Sequence, residues 1–398
     1  MMRRYTKVRR FIRHALAGPR CCPRCIHRRI LPRILLCITV FSPGAARPAS
    51  ARARPMTSNS ARDSSVTRAV ETVAVAPGIY AFIAPEAFGG LVSGNSMVVI
   101  GDSAVLVVDS GHFPLVTRRM IATIRTLTSK PVRFLVNTHG HPDHWMGNAE
   151  YQRAFPGLTI ISTDATRLDI QQQGPAYISA YQDTASLQRM RDLVNRSGPD
   201  ALPADTKAYY AATLPDLAEA LAGWRGVTLV SPTRTFDSSL TVHLGARDAR
   251  VLFLGRGNTT GDAVVFVPDA RVIATGDLVV SPTPYAYDSY IPEWIDVLHT
   301  IAAMKPVVIV PGHGPVEHDL TYLHQVADLL THVRDRVATA LSKGMNLRDT
   351  QAFVDLAAYR QRFAGNDVRR QRLFDIGFSE PGVKGAYERM QSARGHAP

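Results

Sequence analysis

From about residue 75 the chain alternates short apolar runs with turn residues, a pattern that predicts strands. Ile79–Ile83, Ser96–Ile100 and Ala104–Val108 are such runs, with Gly101 and Asp102 between the last two. Thr117–Leu127 instead spaces Met120, Ile121, Ile124 and Leu127 for one face of a helix. Arg133–Val136 and Leu158–Ser162 read as buried strands. Residues 165–225 change character: Gln, Ala, Tyr and Leu dominate, with breaks at Gly174-Pro175 and Gly198-Pro199, which predicts a helical insertion. Strands resume at Val227–Val230, Leu240–Leu244, Val251–Leu254, Ala263–Val267 and Val272–Ala274, followed by a helix over Glu293–Met304 and a last strand at Val307–Val310. Beyond about residue 320, Leu323, Val326, Leu329 and Leu330 share a helical face. Two similar runs of β units with helices predict an α+β fold in which two sheets pack face to face and helices cover the outside.

Residues 1–55 do not fit this pattern. A basic stretch through Arg33 precedes the apolar run Ile34–Phe41, and small residues follow at Gly44-Ala45-Ala46 and Ala51-Arg52-Ala53. That order predicts a secretory signal and a periplasmic or secreted protein. A translation start at Met56 gives a cytoplasmic protein instead. Residues 56–74 open on polar residues and read as a disordered linker. The organisation expected is a leader over 1–55, a linker over 56–74, a main domain over 75–320 with its insertion at 165–225, and a helical extension over 321–398.

Charge separates along the same boundary. Of the 46 Lys and Arg, the leader holds 14, and it holds none of the 33 Asp and Glu, leaving 32 basic residues against 33 acidic ones. The net charge of +13 therefore belongs to the leader, and the body gives no electrostatic reason to expect nucleic acid. No apolar run approaches the roughly 20 residues of a membrane span. All four cysteines (Cys21, Cys22, Cys25 and Cys37) also lie in the leader, so the body has neither a thiolate ligand nor a thiol nucleophile.

The chemistry concentrates after the strand at Arg133–Val136, on a strand-end loop able to gather polar side chains on a rigid support. Thr138-His139-Gly140-His141-Pro142-Asp143-His144 places three imidazoles and a carboxylate within six residues, a pattern HxHxDH. Neutral imidazole and carboxylate are donors that suit zinc. The spacing lets His139 and His141 serve one ion, and Asp143 and His144 a neighbouring one.

Residues 75–320 resemble the metallo-β-lactamase superfamily. The resemblance rests on Asp109 after a β run, the HxHxDH loop, the Gly-rich turn Leu254–Asp262, Gly276-Asp277 after a strand, and Pro311-Gly312-His313-Gly314 after the last strand. It implies a four-layer αββα sandwich. It implies that His139 and His141 belong to a first metal site, that Asp143, His144 and His313 belong to a second, and that Asp277 bridges the two. Asp109 is then a carboxylate that orients a ligand histidine. Asp277 leans toward the glyoxalase II-like and lactonase-like members rather than true β-lactamases. Asn258 stands where the family places a third first-site histidine, and an amide oxygen is a weaker ligand than imidazole. Three readings stay open there: a mononuclear enzyme, coordination or water-binding by Asn258, or impaired catalysis.

The function expected is hydrolysis of a small-molecule ester, thioester, lactone or amide by metal-activated water, with one or two zinc ions, iron and manganese being the alternatives. Asp143 and Asp277 are the catalytic carboxylates, Asp143 also carrying a proton to the leaving group. An iron-dependent persulfide dioxygenase and a non-catalytic metal-binding descendant are the competing readings. Tyr177, Tyr181, Tyr209 and Tyr210 of the insertion either line a pocket or pack helices. Tyr285, Tyr287 and Tyr290 follow Asp277 closely enough to face the site, and Trp145 is expected to pack beneath the HxHxDH loop.

Overall fold

The computed structural model describes residues 70–87, 92–183, 185–198, 201–202 and 204–395. The leader with its four cysteines, Met56 and most of the expected linker lie outside the described residues, as does the side chain of Tyr209.

Two sheets form the centre. The first has seven strands in sequential order: β1 (Glu71–Ala76), β2 (Ile79–Ile83), β3 (Ser96–Ile100), β4 (Val105–Val108), β5 (Val132–Val136), β6 (Thr159–Thr163) and β7 (Arg234–Phe236). Strands β1 to β4 pair antiparallel, and β4 to β7 pair parallel. The second sheet has five strands in the order β12-β11-β10-β9-β8, namely β12 (Val308–His313), β11 (Val272–Val280), β10 (Ala263–Val267), β9 (Asp248–Phe253) and β8 (Ser239–His243). Only β11 and β12 pair parallel in it.

The period-two alternation of the strands explains the layers. Val99 and Val265 face inward, where Ile79, Leu106 and Val136 of one sheet meet Val251, Val272 and Val310 of the other. Their chain neighbours Val98 and Val264 point outward. Val98 packs with Met120, Ile121 and Ile124 of α1 (Pro114–Leu127) and Tyr151 of α3 (Asn148–Ala154), while Val264 joins Trp294 and Leu298 of α7 (Ile291–Ala303). The result is the four-layer αββα sandwich. Each large apolar side chain buried this way contributes about 1.5–3 kcal/mol.

The 165–225 region is helical: α4 (Asp164–Gln182), α5 (Ala185–Asn195) and α6 (Ala204–Ala222). Thr163 caps α4 by accepting from the Thr166 amide. Tyr177 and Tyr181 pack with Trp145, Ile170, Ile178 and Trp224, and Tyr210 is buried, so these three tyrosines serve helix packing. After β12 the chain continues as α8 (Thr321–Ser342), α9 (Leu347–Phe353), α10 (Ala357–Ala364), α11 (Val368–Phe374), a π-turn (Asp375–Ser379) and α12 (Glu380–Gly395). These helices share the core of the second sheet, since Leu330, Val333, Phe374 and Phe378 cluster with Trp294 and Ile273. Among the described residues no helix is long and apolar enough to cross a membrane.

Two expectations are corrected. Glu71–Ala74, inside the span read as linker, form part of β1, whose half-exposed residues pair with β2; its apolar run Val73–Ala76 is short and built half of alanine, a weak strand signal. Val227–Val230 forms no strand. Side-chain amides take two of its carbonyls instead, Gln182 Nε2 donating to Val227 at 2.8 Å and Asn148 Nδ2 to Val230 at 3.0 Å.

Candidate metal centre

The site lies where strands of both sheets end. Asp109 follows β4, the HxHxDH stretch follows β5, Asp277 lies within β11, and His313 closes β12. The parallel pairing of β11 with β12 sets Val280 opposite His313 and Gly276 opposite Pro311, which brings the last histidine beside Asp277. The motif is not a plain loop, because Pro142–Trp145 forms a short helical turn, α2, with Pro142 at its start. Trp145 braces it from below, its indole N–H donating to the Gly140 carbonyl at 3.0 Å. Strand β11 also runs on through Gly276 and Asp277, beyond the Val272–Ala274 expected.

The six residues converge as two triads, His139–His141–Asp277 and Asp143–His144–His313, with the donor atoms of each within 4.8 Å of one another. Asp277 serves both. Its Oδ2 lies 3.3 Å from His139 Nε2 and 3.3 Å from His141 Nδ1. Its Oδ1 lies 3.1 Å from His144 Nε2 and 3.4 Å from His313 Nε2. Asp143 Oδ2 closes the second triad at 3.1 Å from His313 and 3.7 Å from His144. Within the triads, ring nitrogens face each other, His139 Nε2 to His141 Nδ1 at 2.9 Å and His144 Nε2 to His313 Nε2 at 3.4 Å.

The neighbours of the site decide which nitrogens face inward. Asp109 Oδ2 accepts from His144 Nδ1 at 2.8 Å and from the Thr138 hydroxyl at 2.8 Å. The Thr138 hydroxyl, having donated its proton, accepts from His139 Nδ1 at 2.9 Å. In their neutral forms both histidines therefore keep the lone pair on Nε2, the tautomer a cation needs. Asp109 itself takes φ +58°, a left-handed conformation unusual for a non-glycine residue, and its Oδ1 accepts from the Thr138 amide at 2.8 Å. Behind the motif, Asn137 and Asn148 exchange amide hydrogen bonds, and Asn137 Nδ2 holds the His144 carbonyl at 3.2 Å. Glycine is required at 312, where a Cβ would sit 2.1 Å from Asp277 Oδ1.

Charge is distributed to match. Burial opposes the ionised forms of Asp143 and Asp277, yet the adjacent His144 and its fellow histidines hold both carboxyls well below the usual range. His144 is drawn up well above an ordinary imidazole, the carboxylates of Asp277, Asp143 and Asp109 outweighing its burial. His139 is pushed down, chiefly by burial and then by His144, which favours the neutral ligand form. The donor set fits a divalent cation in two respects. Ionised carboxylates and lone-pair nitrogens converge, and two buried oxygens of the site, Asp277 Oδ1 and Asn258 Oδ1, have no hydrogen-bond donor.

Asn258 lies beside the first triad, its Nδ2 donating to the Asp277 backbone carbonyl at 3.2 Å. Its turn is fastened by Asp262, whose Oδ2 accepts from the amides of Gly257 at 3.2 Å and Thr259 at 2.7 Å. Tyr285 faces the centre, edge-on to His313. Tyr290 does not, being sandwiched by the guanidinium groups of Arg256 and Arg389. Sequence reasoning assigned no role to Thr138, Asn148 or Asp262, although Thr138 and Asp262 stand in stretches singled out for their chemistry.

A family model described as the metallo-beta-lactamase superfamily matches residues 89–313, more than half of the chain. This chain belongs to the metallo-β-lactamase superfamily. All six converging residues of this superfamily member fall within the matched span, and the helices after residue 320 fall outside it. A curated relative, the linear primary-alkylsulfatase of Pseudomonas sp. (strain ATCC 19151), is 27% identical over 261 residues. The match covers 61% of this chain and 46% of the relative, so the chain spans less than half of that protein's length. The structure of a metallo-beta-lactamase from Pontibacter korlensis superposes with a TM-score of 0.48 at 19% identity, covering 66% of this chain and 99% of that one. For the DIM-1 metallo-beta-lactamase the TM-score is 0.47 at 17% identity, covering 66% and 98%.

Proposed function

We propose that this chain is a metal-dependent hydrolase that cleaves a small-molecule ester, thioester, lactone or amide. One observation carries the reading: the two oxygens of a single buried carboxylate, Asp277, face two separate histidine-containing triads. His139, His141 and Asp277 would hold one cation, and Asp143, His144 and His313, with Asp277 again, the other. Imidazole and carboxylate donors favour zinc, with manganese or iron as substitutes. A cation bound there supplies Lewis acidity and lowers the pKa of water from about 16 toward about 7.

The remaining work falls to the chain. Asp277 fixes the spacing of the two triads. Asp109 and Thr138 hold the ligand imidazoles in the tautomer that presents Nε2. Asp143 is less buried than Asp277, so beyond binding it faces the substrate side and can carry a proton to the leaving group. The basic leader supports export of the enzyme.

A second reading, hydrolysis of a sulfate ester, is favoured by the alkylsulfatase relative. Both readings are tested by one experiment. The protein is stripped with a chelator, reloaded with zinc, manganese or iron in turn, and assayed on chromogenic lactam, lactone, thioester, carboxylic ester and sulfate ester substrates. Metal-dependent turnover of a carbonyl substrate is expected. Turnover confined to the sulfate ester transfers the assignment to the second reading, and no turnover with any metal ends both.

A further inference from the structure

The helices beyond residue 320 lie outside the family-matched span, yet they hold the loop that stands beside His313 of the metal centre. Residues 281–290 leave β11 and carry Tyr285 and Tyr287. The Tyr285 ring stands edge-on to His313, with centroids 5.9 Å apart and planes at 71°. Tyr287 stacks on it at 6.3 Å. Among the described residues no hydrogen bond reaches the Tyr285 hydroxyl, although the ring is half buried beside a cluster of charged groups.

The C-terminal helices fasten this loop at three points. At its start, the Tyr322 hydroxyl of α8 lies 2.6 Å from the Val280 carbonyl and 3.0 Å from that of Pro282. In the middle, the Ala286 amide donates to the Gly377 carbonyl at 2.8 Å. At its end, Arg389 of α12 donates to the carbonyls of Ser289 at 2.8 Å and Asp288 at 2.9 Å. Its guanidinium also covers the Tyr290 ring at 3.6 Å. Gly377 sits in the π-turn, directly against Tyr285. A Cβ at 377 would lie 3.1 Å from Tyr285 Cδ1, closer than ordinary contact, so a side chain there displaces the ring. A π-turn is a local departure from helix regularity that tends to occur at functional sites. Here it lets a glycine and its carbonyl meet the loop together.

We propose that Tyr285 is a further substrate-binding residue of this centre, its hydroxyl donating to the substrate oxygen that gathers negative charge during hydrolysis. Gly377 and Arg389 are positioning residues that hold the ring over His313. A phenol O–H is a directional donor, and a preset donor costs no reorganisation when charge develops. The substrate oxygen belongs to an ester-type group, a step that rests on the hydrolase reading above.

The test uses the zinc-loaded full chain and the variants Tyr285→Phe, Gly377→Ala and Arg389→Met. For whichever substrate the panel selects, Tyr285→Phe is expected to lower kcat about 100-fold with KM changed less than about threefold and zinc content unchanged. Gly377→Ala and Arg389→Met are expected to lower kcat about tenfold, again at full zinc content. A Tyr285→Phe enzyme with the parental kcat overturns the proposal. So does a loss that tracks lost zinc, since that marks a merely structural wall. A second measurement separates this idea from the hydrolase reading: inorganic phosphate is titrated calorimetrically into each zinc-loaded protein. Tyr285→Phe should weaken phosphate binding about tenfold. If the parent cleaves nothing, the hydrolase reading fails alone, and unchanged phosphate affinity in Tyr285→Phe then overturns the tyrosine's role independently.

Discussion

His139 and His144 have ring centroids 4.3 Å apart, yet the two triads they serve are built differently. His144 gives its outer N–H straight to the Asp109 carboxylate, whereas His139 reaches the same carboxylate only through the Thr138 hydroxyl. A direct carboxylate partner raises the basicity of an imidazole more than a relayed one. The second triad also owns three strong donors, Asp143, His144 and His313, and borrows Asp277. The first owns two histidines and borrows the same Asp277, with Asn258 beside it offering an unmatched amide oxygen. One carboxylate thus joins a well-supplied site to a poorly supplied one, and the two should differ in their grip on a cation.

The shared carboxylate is the place to break that comparison. Asp277→Ala should empty the first triad, loosen the second, which keeps its own three donors, and lower turnover at least about 1,000-fold, roughly 4 kcal/mol of transition-state stabilisation. Elemental analysis and kinetics together check it, and two retained equivalents of zinc would show that Asp277 bridges nothing. Asp109→Asn should come next. It removes the charge behind His144 and weakens zinc binding about 10- to 100-fold. Thr138→Val cuts only the relay to His139, so it should weaken only the looser equivalent, about tenfold. Competition with a chromogenic chelator resolves the two equivalents. If Thr138→Val loosened the tighter one instead, the ranking of the triads would be inverted.

The difference between the triads was only partly legible in the sequence. His139, His141, Asp143 and His144 stand out because they are crowded into one strand-end segment. Asp277 and His313 carry no local signal; the resemblance picked them out, and what unites them physically is the parallel pairing of β11 with β12. The Thr138 relay was invisible because a threonine beside a histidine is ordinary, and only the backbone turn at Asp109 aligns the three groups. Longer-range contacts were harder still. Periodicity identifies the apolar face of α8, but it cannot tell that the Tyr322 hydroxyl meets Val280 or that Gly377 meets Tyr285. Strands failed in both directions for one reason. Backbone pairing with a neighbouring strand, rather than apolar character, marks a strand: the half-exposed Glu71–Ala76 is paired, and the apolar Val227–Val230 is not.

Asn258→His sharpens the comparison with the smallest expected effect, because two consequences oppose each other. An imidazole is a better zinc ligand than an amide, so the looser equivalent should bind about fivefold more tightly. The position is fully buried, however, and Gly257 before it leaves little slack, since a Cβ there would already sit 2.2 Å from Leu278 Cδ2. The added ring atoms must be accommodated, at a stability cost of about 1–3 kcal/mol. The bond from Asn258 Nδ2 to the Asp277 carbonyl is lost as well. Tighter zinc with a lower melting temperature of the metal-free protein is therefore the expected pair, read by chelator competition and thermal unfolding. If affinity stayed unchanged while stability fell, residue 258 would not reach the cation, and the contrast between the triads would rest on the Thr138 relay alone.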